Sequence, residues 1–111
     1  MFEGKLVEIQ MTEIAFEVKN QQELSIIVSA LQREKKLLGW EIQKTKAKLE
    51  AFEKKYAMQT DQFIEKYTKG ELGDEEEIMT WAGEYQFLQK FKEKQKQLED
   101  LIQECRKHMK P

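Results

Sequence analysis

Cys105 and His108 lie three residues apart, a spacing that would set two metal ligands on one face of a helix. A structural zinc site takes four ligands, and these are the only cysteine and the only histidine in the chain. Cys105 also falls on an apolar stripe, where a small thiol packs well. Glu104 and His108 resemble one corner of a carboxylate-bridged metal bundle, but such bundles need a Glu-x-x-His from each of two helices. A dimer would double the histidines and leave the spacing wrong. Ser25 and Ser29 are far in sequence from His108, so neither has a visible base. Gly70-Glu71-Leu72-Gly73 lacks the lysine and hydroxyl of a phosphate loop, and its carboxylate would repel phosphate. The acids Glu71, Asp74, Glu75 and Glu76 could supply a hydrolytic pair, but helix starts favour carboxylates for electrostatic reasons alone. The expectation is a protein with no catalytic residue, no cofactor and no metal.

The elements that would carry these residues are two long apolar stripes. Leu24, Val28, Leu31, Leu38, Ile42, Leu49, Phe52 and Tyr56 recur at alternating spacings of four and three, as do Trp81, Tyr85, Leu88, Phe91, Leu98, Ile102, Cys105 and Met109. Each set predicts a helix that must pack against another. Lys35 and Thr45 are polar positions on the first seam, where the lysine either snorkels to solvent or fixes register. A second, weaker stripe (Ile26, Ala30, Leu37, Trp40, Ala47, Ala51) has no use in a helix with one partner. Leu37 and Trp40 are therefore expected to meet a second chain.

The first nineteen residues follow another rule. Ile14, Phe16 and Val18 alternate with Glu13, Ala15 and Glu17, the period of a half-buried strand. Val7, Ile9 and Met11 alternate more weakly, and residues 1–10 read as an extension with little fold of its own. Asn20 and Glu23 form a capping box that starts a helix of about 36 residues, ending near Tyr56. Thr60 is a plausible N-cap for a short helix from Asp61 to about Thr68. Gly70 is its stop and Gly73 a turn. Asp74 with Glu77 is a second capping box, opening a last helix that runs to about Lys107. Two equal helices joined by a compact connector fold most simply into an antiparallel hairpin.

Charge and composition exclude several roles. Nineteen basic against twenty-one acidic residues give a net charge of −2, no footprint for nucleic acid as the main partner. A strand before a helix raises the ribbon-helix-helix class, but its groove-facing positions would be Glu13, Ala15 and Glu17, and the first helix is too long. No apolar run approaches a membrane span, and no charged-then-apolar leader opens the chain. With a lone cysteine, the expectation is a cytoplasmic protein. Charge is uneven: residues 33–55 hold eight basic and four acidic residues, residues 61–77 seven acidic and two basic. Both read as solvated faces, or else as faces that meet partners of opposite sign.

The stretch KKYAMQTDQFIEKYTKGELGDEEEIMTWAGEYQFL, ending at Leu88, resembles the connector of small helical proteins of bacteria and archaea that share a "KYGM…F…GELGD…W…Y" signature. The matching positions are Lys55, Tyr56, Met58, Phe63, Gly70, Glu71, Leu72, Gly73, Asp74, Trp81 and Tyr85. Those proteins are often encoded beside toxin-like genes, so the resemblance implies an antitoxin-like role and no catalytic residues. Ala57 replaces the glycine of the signature, which suggests that the first helix continues a residue or two. Gly70, Gly73, Trp81 and Tyr85 read either as a tight turn sealed by aromatics or as a docking patch.

The reading as a whole is a mainly α protein: an antiparallel long-helix hairpin (20–108) with a short connector helix, preceded by an extension and β-strand (1–19). It is expected to form a homodimer and to bind a toxin-like protein, with Ile14, Phe16, Val18, Leu37, Trp40, Trp81 and Tyr85 as partner-binding residues. The strand would add to a sheet in the second protomer or the partner. A homo-oligomeric coiled-coil scaffold and a prefoldin-like holdase are the alternatives, although a prefoldin connector forms strands.

Overall fold

A computed structural model of the chain describes the backbone of residues 5–9 and 14–109 and the side chains of residues 18–109. It is mainly helical: α1 spans Gln21–Tyr56, α2 Thr60–Thr68 and α3 Glu76–Arg106. Ahead of them the backbone of β1 (Lys5–Ile9) pairs antiparallel with β2 (Ile14–Val18), Lys5 opposite Val18 and Ile9 opposite Ile14. The stretch read as an extension thus holds the strand that pairs with Ile14–Val18. The chain divides into two compact units: residues 1–38 with 94–111, and residues 39–93. In each, α1 packs against α3 in hairpin fashion.

In the first unit the helix pair closes over aliphatic side chains. Leu24, Val28, Val18 and Cys105 form one buried cluster, with Ile27, Leu31 and Met109 against it. Asn20 Oδ1 accepts the Glu23 N–H at 2.8 Å, and the Glu23 carboxylate accepts the N–H of Lys19 at 3.1 Å. The box therefore reaches one residue further back than its usual form, which ties the last strand residues to the first helical turn. Lys35 is neither a free snorkel nor a buried polar residue: its ammonium pairs with Glu99 across the helices. Lys94 meets Glu34 at 3.1 Å, and Gln21 Nε2 donates to the His108 carbonyl at 3.2 Å. These contacts run in opposite directions along α1 and α3, which makes the pair antiparallel.

In the second unit Ile42, Thr45, Leu49, Ile78, Ala82 and Leu88 are buried along the seam. Lys48 pairs with Glu84 at 3.4 Å. No fully buried side-chain nitrogen or oxygen lacks a hydrogen-bond partner among the described residues.

Candidate functional site

The end of α1, all of α2 and the start of α3 lie in the second unit, and local chemistry stops α1 and α2. α1 ends at Tyr56 because Ala57 turns left-handed, with φ 50°. The Met58 N–H then returns to the Glu53 carbonyl at 3.2 Å, a Schellman-type closure. The helix stops at Tyr56, contrary to the expectation that without the glycine it would continue a residue or two. Alanine takes the glycine's conformation, at a steric cost of roughly 1 kcal/mol. α2 ends in the full form of the same motif. Gly70 has φ 76°, its N–H donates to the Tyr67 carbonyl at 3.0 Å, and the Glu71 N–H donates to the Lys66 carbonyl at 3.0 Å. Gly73, also at φ 76°, turns the chain toward α3.

The helix starts differ from the sequence reading. Gln59 precedes α2 as its N-cap and makes no side-chain cap hydrogen bond. Thr60 is buried within the helix instead: its hydroxyl accepts the Trp81 Nε1–H at 3.1 Å, and its N–H donates to the Glu53 carboxylate at 2.8 Å. Nor does Glu77 cap α3. Its two carboxylate oxygens take the Lys55 ammonium and the Tyr56 hydroxyl. Those hydrogen bonds hold the Glu77 carboxyl below its ordinary range and push the Lys55 ammonium and the Tyr56 phenol up. In both cases a tertiary partner outcompetes a local cap.

Trp81 is the centre of the region. It is 1% exposed, stacked on Phe63 with ring centroids 3.8 Å apart and 7° between planes. Phe52 and Tyr56 each stack on it at 5.5 Å. Phe63 in turn stacks on Tyr67 at 5.8 Å. Beside this stack lies an open groove of about 500 Å³, lined by Ile64, Tyr67 and Thr68 of α2, Gly73, and Ala82 and Tyr85 of α3.

The seven residues read as partner-binding are scattered by the structure. Val18 belongs to the aliphatic core of the first unit at 1% exposure, so its side chain fills its own chain and not a pocket elsewhere. Trp81 likewise is the hub of its own aromatic core. Tyr85 is half-buried on the groove wall. Leu37 and Trp40 are exposed, at 44% and 57%. Ile14 and Phe16 lie in β2, and their side chains fall outside the described residues. Met79 and Phe87 of α3, also exposed, were not singled out from the sequence, nor were Thr60 and Phe63 as neighbours of Trp81. An interruption by two apolar residues off the α3 seam was the available signal for the first pair; the second has none.

Burial, with a contribution from Glu104, pushes the Cys105 thiol up, away from the reactive thiolate. Among the described residues no three His, Cys, Asp or Glu side chains are placed to hold a metal ion. No helix among them is long and apolar enough to cross a membrane. No family model matches the chain, and neither a curated protein nor a solved structure proves similar to it.

Proposed function

We propose that the chain is a non-enzymatic protein–protein interaction subunit, antitoxin-like in that it occupies and neutralises a partner protein. The observation that carries this reading is the set of large apolar side chains left in solvent on both long helices: Ile26, Leu37 and Trp40 on α1, Met79 and Phe87 on α3. Leu37 and Trp40, three residues apart on α1, share one helix face, and contiguous apolar surface is what another chain commonly covers. The neutralising role rests on the resemblance of the connector, from Lys55 to Tyr85. A cytoplasmic homodimer is part of the proposal, with α1 of each protomer contributing Leu37 and Trp40. Among the described residues the strand Ile14–Val18 is paired on one edge only, by β1, and its other edge suits strand addition by a partner. A homo-oligomeric scaffold is the second reading, favoured by the same exposed stripe on α1.

Purification of the native protein tests it. The expected result is a homodimer by light scattering that carries one other protein in stoichiometric amount. Leu37→Ser and Trp40→Ser should each weaken association while leaving helicity unchanged. A monomer at micromolar concentrations with no companion overturns the proposal, and a dimer with no companion supports the scaffold.

A further inference from the structure

The groove beside the aromatic stack has a chemical character that goes beyond a general binding surface. One wall is α2, with Ile64 and Tyr67, and the other is α3, with Ala82 and Tyr85. Gly73 closes it at the connector, and the next three residues are Asp74, Glu75 and Glu76, all exposed. Among the described residues none of these three carboxylates is held in an ion pair or hydrogen bond, whereas their neighbour Glu77 is occupied by Lys55 and Tyr56. The nearby lysines do not neutralise them: Lys66 and Lys69 line a separate groove with Glu65 and Glu71, and Lys69 is paired with Glu65 at 3.2 Å. The groove therefore combines two tyrosine rings with apolar Ile64 and Ala82 and polar Thr68 and Gln86, and its Gly73 end runs directly into an acidic lip of chain, residues 74–76.

We propose that this groove binds a basic segment of a partner protein. An arginine or lysine side chain lies against the Tyr67 and Tyr85 rings, where the ring quadrupole attracts a cation. An adjacent apolar side chain packs on Ile64 and Ala82, and Asp74, Glu75 and Glu76 face the remaining positive charge. Charge complementarity selects the occupant: residues 61–77 carry seven carboxylates against two lysines, and with Glu65 paired to Lys69 and Glu77 to Lys55 five carboxylates remain against Lys66, which repels an acidic segment and draws a basic one. This deepens the reading of the chain as a protein-binding subunit and rests on it.

The test uses the full chain, labelled with nitrogen-15, and a short peptide of alternating arginine and leucine. The same peptide with glutamate in place of arginine is the control. Saturable shifts of the Gly73, Ala82 and Tyr85 amides with the arginine peptide alone are expected. Replacing the lip by Asp74→Asn, Glu75→Gln and Glu76→Gln together should weaken binding about tenfold, and Tyr85→Leu several-fold. Near-ultraviolet circular dichroism of the Trp81 stack confirms that each variant remains folded. Shifts spread over exposed carboxylates without Gly73 or Tyr85 would overturn the proposal. So would Gly73 and Tyr85 signals that move with protein concentration and ignore the peptide, because the groove would then belong to a second copy. A native companion that binds the lip and Tyr85 variants as tightly as the unaltered chain would overturn the groove and leave the protein-binding reading intact. A groove that takes the arginine peptide in a chain with no companion would do the reverse.

Discussion

The two units are built on the same pair of helices and closed in opposite ways. The first packs Val18, Leu24, Val28 and Cys105, side chains with almost no polar atoms to satisfy, and places its ion pairs (Lys35–Glu99 and Glu34–Lys94) at the margin. The second stacks Phe52, Tyr56, Phe63 and Trp81, and so must supply a hydrogen-bond acceptor in its interior. Thr60 supplies it. An aliphatic layer tolerates any neighbour of the right volume, whereas a buried indole binds its surroundings to a specific polar partner.

The largest expected effect comes from removing the hub. Trp81→Ala should cost about 3–5 kcal/mol in urea unfolding, and Leu24→Ala, in the aliphatic cluster, about 2–5 kcal/mol. If the comparison holds, Trp81→Ala abolishes the near-ultraviolet dichroism of the rings while Leu24→Ala leaves it in place. Equal loss of that signal in both would mean that the aromatic stack is not a separate packing unit.

A smaller change asks whether the polar partner matters. Thr60→Val keeps the shape and deletes the acceptor of the indole N–H, so it should cost about 1–3 kcal/mol. Thr45→Val, on the aliphatic seam of the same unit, should cost less. Matched losses would show that the hydroxyl of Thr60 contributes only volume.

Ala57→Gly should act in the other direction. The left-handed φ of 50° penalises a Cβ, and glycine releases that strain at some entropic cost to the unfolded chain, for a net gain of about 0.5–1 kcal/mol. A rise in the urea midpoint is the expected reading, and a fall would mean that the turn opens in solution.

The smallest effects are electrostatic and touch both units. Glu77 is held low chiefly by hydrogen bonds from Lys55 and Tyr56, and Glu99 chiefly by those from Lys35 and Gln103. A carboxyl with a depressed folded value lends stability that is present above its unfolded value, ordinarily 4.5, and is lost as pH falls through the folded value. Glu77→Gln and Glu99→Gln should each flatten the acid limb of a stability–pH curve slightly. Salt should shrink both effects, because both carboxylates are exposed.

Most of the helical architecture was legible in the chain because its causes are local or periodic. Leu38, Ile42, Leu49, Leu98 and Ile102 lie on the heptad stripes and are all buried, and Ile26, Leu37 and Trp40 lie off them and are exposed. Asn20 starts α1 and Gly70 stops α2 where their chemistry said they would, since a cap needs only its own turn. The site was less legible. Thr60 and Glu77 have the composition of capping residues, yet each is drawn to an aromatic or charged group some twenty positions away.

The sequence by itself determined where the helices run and which face each one buries. Hydrophobic period and terminal caps act over one or two turns, so they can be read along the chain. Only the tertiary structure decided that Val18 and Trp81 turn inward, that Ala57 takes a glycine's conformation, and that Tyr85 lines a groove between α2 and α3. Those outcomes depend on which distant side chains share a layer, and a burial that removes water from an indole or a methyl outweighs the pull of any neighbour in sequence.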